Sequence, residues 1–266
     1  MRGRPNLRTM GLQRVTELIR VIGRFGIRPA LAIVAKRPTI VFSHLGRRYE
    51  MLGDGSASYH LLNSIDKVRE LAMAVSPADR TILDVGAHSG LFSAFAAERA
   101  PAARVVAVDA DPIATPVIAR NLAPHGNATI LSLAVGAKPG TADFYRNSLS
   151  TQTSSLLRSA VRPFASESSI EVLPVTVTTL DELWRNELDC VPIDVLKVDV
   201  QGAEGAVLAG GQAALASVRT LVIEVSVLAP DAGEILTRLA AEFGVPEIVG
   251  FVAGGADLKY VRSRDG

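Results

Sequence analysis

The spacing of apolar and polar positions changes several times along the chain, and each change marks an element. Residues 39–42 and 48–52 alternate like two short strands around a turn at Leu45 and Gly46. Residues 53–58 form a turn-rich loop, and 61–75 show helical spacing that ends before Pro77. From residue 81 the alternation becomes regular. Apolar runs at 81–85, 104–108, 129–134, 193–198 and 220–225 predict strands. Helical spacing at 91–99, 112–122, 203–209 and 231–243 places helices between them, with Pro112 in a first turn. Residues 141–145, 171–178, 245–251 and 258–261 read as further strands. Strands alternating with helices predict an α/β fold with a mainly parallel sheet covered on both faces. In such sheets ligands bind beyond the carboxyl ends of the strands, near the point where strand order reverses. We divide the chain into an N-terminal extension, 1–76, with a basic helix, a short hairpin and a helix, and a second domain, 77–266.

Composition adds limits. The 266 residues are 48% hydrophobic and 21% charged, with net charge +1, which suits an ordered globular protein and gives no global argument for a nucleic-acid partner. No apolar stretch approaches the roughly 20 residues of a spanning helix. The single cysteine, Cys190, allows neither an intrachain disulfide nor a Cys-rich zinc site, and a cytoplasmic location is expected. Charge is uneven, however. Arg2, Arg4, Arg8, Arg14, Arg20, Arg24, Arg28, Lys36 and Arg37 face a single acid, Glu17. No apolar core follows the first arginines as in a signal peptide. Val15, Leu18, Ile19 and Ile22 recur at helical spacing. We expect this stripe to pack on the core with the arginines solvated; peripheral contact with anionic lipid is the alternative.

The chemistry sits after the strands. The first regular strand ends in Asp84-Val85-Gly86-Ala87-His88-Ser89-Gly90. Gly86 and Gly90 let the backbone turn tightly and approach a ligand. Asp84 could orient a ligand ammonium directly or through water, and His88 could bond cofactor or substrate. This is not the G-x-G-x-x-G dinucleotide fingerprint, since a carboxylate stands beside the turn and suits a cationic ligand better than a pyrophosphate. The next strand ends at Asp109, about twenty residues on, a position suited to ribose hydroxyls; Asp111 is the better helix cap. Ala134, with Leu133 and Val135, could wall an adenine ring. Ser154 and Ser155 could contact the ligand or cap a helix. The fourth strand ends in Lys197-Val198-Asp199-Val200-Gln201-Gly202-Ala203-Glu204. Alternation puts Lys197 and Asp199 on one face, and a lysine in so apolar a strand needs a partner. Glu224, inside another apolar run, also needs one, and Lys197 is the expected choice. His44, His60, His88 and His125 are scattered, so no metal site is expected. Asp181, Asp199, Glu204 and Glu224 are read as part of a salt-bridge network.

These segments in series resemble the FkbM-type family of class I S-adenosylmethionine-dependent methyltransferases. The resemblance rests on Leu83–Gly90, Val108-Asp109-Ala110-Asp111-Pro112, Asn121, Ser154-Ser155-Leu156, Thr179-Leu180-Asp181, Leu196–Glu204 and Val222-Ile223-Glu224-Val225. It covers about 81 to 225 and leaves the first eighty residues aside. His88 stands where this family commonly has Asn, and Asp109 where it commonly has Glu. The resemblance implies a Rossmann-like sheet of about seven strands, S-adenosyl-L-methionine as donor, and O-methylation of a hydroxyl on a small molecule, natural product or sugar. On that expectation Asp199 is the acceptor's base or orienting group, tuned by Lys197 and Glu204. Asp84, Gly86, His88, Gly90, Asp109, Ala134 and Ser155 then form the cofactor site. The rival expectations are a nicotinamide-dependent oxidoreductase and a non-catalytic cofactor-binding protein.

Overall fold

The computed structural model describes residues 7–226, 229–252 and 255–262. The extension begins with two helices, α1 (Leu7–Phe25) and α2 (Ile27–Val34), then a hairpin of β1 (Thr39–His44) and β2 (Arg47–Leu52), then α3 (Ala57–Leu71). Leu45 and Gly46 both have positive φ, the geometry of a two-residue turn matched to strand twist. The regular part follows as β3 (Thr81–Val85), α4 (Leu91–Arg99), β4 (Arg104–Asp109), α5 (Thr115–Leu122), β5 (Ala128–Ser132), β6 (Ala134–Val135), β7 (Gly140–Asn147), α6 (Arg158–Val161), β8 (Ile170–Thr178), α7 (Leu180–Glu187), β9 (Ile193–Val198), α8 (Glu204–Ala209), α9 (Gln212–Ser217), β10 (Val218–Ser226), α10 (Ala232–Phe243), β11 (Glu247–Val252) and β12 (Gly255–Val261).

Seven strands form the main sheet in the order β11-β12-β10-β9-β3-β4-β5. The five from β10 to β5 are parallel, and β12 runs antiparallel to both β10 and β11. From β3 the chain winds one way to β4 and β5, and later returns on the other side as β9 and β10. The order therefore reverses between β3 and β9, and the crevice at their carboxyl ends is where a ligand is expected.

Alternation along the strands sorts the core. Ile82, Val105, Ala107, Val195 and Val222 face a cluster shared with Leu61, Ile65, Ile40 and Phe42 of the extension. Leu83, Val85, Val106, Val108, Leu196, Val198 and Ile223 face the opposite cluster with α7, α8 and α10. The two-residue period then carries Asp84, Lys197 and Glu224 to the side roofed by α3.

Several expectations change. The strand expected at 129–134 breaks at Leu133, and Ala134 joins β8 and β7 in a separate three-stranded sheet that also takes in the runs expected at 141–145 and 171–178. The helix expected from Pro112 starts at Thr115, because Asp111 first accepts the Ile113 amide in a side-chain turn. Of the N-terminal stripe expected to pack on the core, only Leu18 does so, beside the fully buried Val21, while Val15, Ile19 and Ile22 are exposed. Among the described residues no helix is long and apolar enough to cross a membrane.

Candidate functional site

A cavity of about 640 Å³ opens at the carboxyl edge of the sheet. One half is lined by Gly86, Ala87, His88, Asp109, Ala134 and Val135. The other is lined by Asp199, Gln201 and Glu224 from the sheet and by Lys67 from α3, which also contributes Asn63 and His60, the latter with its ring 6.5 Å from that of His88. The extension thus supplies a wall of the site.

Lys197 is the electrostatic centre beneath it. Asp84 and Lys197 are register partners on β3 and β9, so their side chains leave the sheet side by side. The Lys197 ammonium donates to Asp84 Oδ1 at 3.0 Å and to the Gly86 carbonyl at 3.0 Å, with Asp199 Oδ2 at 3.8 Å. Burial opposes its charge, but Asp84 and Asp199 outweigh burial and hold its pKa above the ordinary lysine value. Asp84 is fully buried, accepts Ser93 Oγ at 2.7 Å, and does not line the cavity. Its expected contact with a ligand ammonium is corrected: the cation it holds is Lys197.

Gly86 sits at φ 84°, where a Cβ would lie 1.9 Å from the Asp199 carbonyl oxygen. The two strand ends touch here, and Asp199 N donates to the Val85 carbonyl at 3.0 Å. Gly90, φ 71°, does not line the cavity; a Cβ there would meet Ile118, so it is a packing glycine of the helix entry. Asp109 does line it. Its oxygens accept the amides of His88 at 2.6 Å and Asp111 at 2.8 Å, and each keeps a second lone pair. Burial lifts its pKa to about 7 against those two bonds. Asn121 joins this turn to the extension, donating to the carbonyls of Ser89 at 2.6 Å and Glu50 at 2.7 Å.

His88 has a determined tautomer. Thr151 Oγ1 donates to Asp54 Oδ2 at 2.8 Å, so it accepts from His88 Nε2 at 2.9 Å. Burial lowers the His88 pKa, keeping the ring neutral near pH 7; His88 Nδ1 then accepts Ser89 Oγ at 3.2 Å. The other Asp54 oxygen accepts Ser56 Oγ at 2.6 Å, and Ser56 Oγ in turn accepts His60 Nε2 at 2.6 Å. Burial drives the His60 pKa down to about 4. Asp54 therefore fixes two histidines and, through the Thr151 amide at 2.8 Å, fastens the loop after β7 to the extension. Sequence reasoning missed Asp54, Thr151, Gln201 and Lys67, since each carries ordinary turn or surface chemistry until the fold assembles it.

Glu224 meets Lys67 of α3 at 3.2 Å, not Lys197 as expected. Lys67 Nζ also lies 3.0 Å from buried Asp257 Oδ2, without hydrogen-bond alignment. Burial works against the Lys67 charge, but Glu224, Asp257 and Asp199 raise its pKa. Burial, then the nearby Asp199, pushes Glu224 up to about 8 despite Lys67. Gln201 Nε2 bridges the two acids, donating to Asp199 Oδ1 at 2.7 Å and Glu224 Oε1 at 3.2 Å.

Glu204, expected to tune Asp199, lies under the turn that follows it, where Oε1 accepts the amides of Val200 at 3.2 Å and Gly202 at 3.0 Å, and does not line the cavity. Two further expectations change. Ser155 is buried and accepts the Leu157 amide at 3.0 Å; its neighbour Ser154 lines the cavity. Asp181 is held by the Ala214 amide at 2.8 Å, away from the other acids. Among the described residues no group of three or more His, Cys, Asp or Glu could hold a metal ion.

A seven-stranded sheet in this order, with acids at the ends of β4 and β9 facing one cavity, is the layout of a Rossmann-like class I methyltransferase. The chain belongs to the FkbM methyltransferase domain family, whose match covers residues 84–246, and the oxidoreductase alternative falls with that. Among curated relatives it is 35% identical to AMB antimetabolite synthetase AmbE of Pseudomonas aeruginosa, over 60% of this chain and only 9% of that protein. It is 27% identical to the 2-O-methyltransferase NoeI of Sinorhizobium fredii, over 62% of this chain and 70% of that one. Among solved structures, an O-methyltransferase from Bacillus cereus in complex with SAH aligns at 14% identity and TM-score 0.45, covering 75% of this chain and 81% of that one.

Proposed function

We propose that this protein is an S-adenosyl-L-methionine-dependent O-methyltransferase acting on a hydroxyl of a small molecule or sugar. The observation that carries the reading is the division of one cavity into two chemically distinct halves that meet where Gly86 touches Asp199. The first half fits the donor's nucleoside: Asp109 offers a carboxylate to vicinal hydroxyls, and Ala134 and Val135 offer an apolar wall to a flat ring. When bound, the donor supplies an electrophilic methyl group on a sulfonium. The second half is rich in acceptors, as a polyhydroxylated partner requires, and the name of the relative NoeI points the same way.

In this reading Asp199 takes or orients the acceptor's hydroxyl proton. Gln201 fixes its Oδ1. Lys197 and Asp84 are positioning residues that pin the two strand ends together beneath it. Alignment of acceptor and donor in a shared cavity supplies most of the rate, and a positioned base adds about 10²–10⁴-fold.

Calorimetric titration with S-adenosylhomocysteine, beside NADH, tests the donor site. Binding that Asp109→Ala weakens at least about tenfold, with no NADH binding, supports it; no homocysteine-analogue binding removes it. Asp199→Asn, assayed with labelled donor on a panel of sugars and small alcohols, should retain analogue binding and lose about 10²–10⁴ in rate. Normal turnover by that variant removes Asp199 as the base.

A further inference from the structure

The helices α1 and α2 leave a surface that the methyl-transfer reading does not use. On α1, Val15, Ile19 and Ile22 are 54%, 64% and 40% exposed; on α2, Ile27, Leu31 and Val34 are 53%, 58% and 63% exposed. Both triplets have the i, i+4, i+7 spacing of one helix face, and the two helices pack against each other. Their inward faces are already satisfied: Val21, Pro29 and Ala30 are buried, and Phe25 stacks edge-on against Phe42. Each exposed triplet is therefore a second apolar stripe on its helix rather than a misplaced core face.

The charge around it is one-sided. Arg14, Arg20, Arg28, Lys36 and Arg37 are exposed and make no ion pair among the described residues. Glu17, the one acid of the region, accepts a bond from Ser58 at 2.7 Å. Through residue 37 the sequence carries nine cations against one acid, a net of +8, while the whole chain carries +1; the remainder is therefore −7. We propose that α1 and α2 dock the protein on an anionic phospholipid surface, with the aliphatic triplets entering the headgroup boundary and the flanking cations meeting lipid phosphates and carboxylates. Pairing with a second copy across a twofold axis would set one cation-rich face against itself, which like-charge repulsion disfavours. Lipid offers what both parts of the face require, apolar depth and negative charge. Since α1 packs on α3 and α3 walls the cavity, docking would bring the cavity close to the lipid surface.

The test is sedimentation of the full chain with vesicles of pure phosphatidylcholine and of phosphatidylcholine with one-third phosphatidylserine. Binding should be at least about tenfold stronger to the anionic vesicles and fall as salt rises. The variant Ile19→Glu/Leu31→Glu should lose about tenfold or more of it while keeping S-adenosylhomocysteine affinity, which verifies the fold. Equal binding of wild type and variant, or no binding to anionic vesicles, overturns the proposal. So does a stable dimer that shields the triplets in light scattering and becomes monomeric in the variant. None of these readouts uses methyl transfer, so failure here leaves the enzymatic reading untouched.

Discussion

Asp54 sets the tautomer of His88 without touching it. The Thr151 hydroxyl spends its only proton on Asp54, so the imidazole must present Nε2–H to it. Removing that hydroxyl gives a first prediction. Thr151→Val should shift the His88 nitrogen resonances toward the other tautomer or a mixture, weaken S-adenosylhomocysteine binding, and cost about 1–2 kcal/mol of stability. Thr151→Ser should restore the tautomer. Two-dimensional proton–nitrogen spectra of the histidine rings read this directly, and an unchanged His88 pattern in the valine variant would refute the linkage.

The buried Lys197–Asp84 pair should behave as one unit. Lys197→Met alone leaves Asp84 charged and stranded, at a cost of about 3–5 kcal/mol. Lys197→Met/Asp84→Leu should recover much of that loss in urea denaturation, because the uncompensated charge is gone. It should not recover methyl transfer, since the anchor of the Gly86 and Asp199 strand ends is gone too. Strictly additive single losses would show that the pair is not coupled.

Glu224 predicts a pH dependence with a definite sign. Its folded pKa, about 8, lies above the ordinary carboxylate value of 4.5, so the folded state holds the proton more tightly. The resulting stability is complete below pH 4.5 and is lost as pH rises through 8. His60 and His88 are lowered from 6.5; their contribution is lost only as pH falls below about 6.5, so they do not interfere above it. The melting temperature of the ligand-free protein should therefore fall between pH 6.5 and pH 8.5. The fall should be smaller in Glu224→Gln, though Asp109 and Glu204, both at about 7, will leave part of it. An equal slope in both proteins would count against the shift at Glu224.

Gly86→Ala should be far more damaging than Gly126→Ala. An added Cβ at Gly86 collides with the Asp199 carbonyl in a backbone region that disfavours side chains, whereas one at Gly126 meets nothing within 4 Å. We expect a loss of at least about 2 kcal/mol for the first, from backbone strain and overlap, with S-adenosylhomocysteine binding abolished. The second should stay within about 0.5 kcal/mol of wild type.

The parallel core was legible because each strand is short, apolar and followed by a turn signal. Residues 81–85 and 193–198 were bounded correctly since they are buried on both faces and nothing competes with their pattern. The small second sheet was not separable from the main one, because β6 is only two residues long and sequence spacing does not say which edge a strand joins. The helix α7 was overlooked although Thr179 and Glu182 form a capping box, a signal present in the sequence. At the site, spacing identified Asp109, Gly86 and Lys197 as special. It could not tell a carboxylate that faces a cavity from one that faces a lysine, which is why Asp84 reads as a ligand contact, nor a serine that lines a cavity from its neighbour that closes a turn, which is why Ser155 does. Lys67 and Asp54 lie outside the familiar motifs, and only the packing of α3 on the sheet reveals them.

The site also redraws the smallest working unit of this protein. The span shared with the family begins at residue 84, yet Asp54, His60 and Lys67 all precede it and help build the cavity. A version trimmed to the shared span would keep four of the seven strands whole, cut β3 at the centre of the sheet, and forfeit one side of the vessel together with the latch on the Thr151 loop. On the proposed reading the acceptor therefore meets side chains from outside the span that the family model matches, and swapping that segment is a way to alter what the site admits without touching the strand ends.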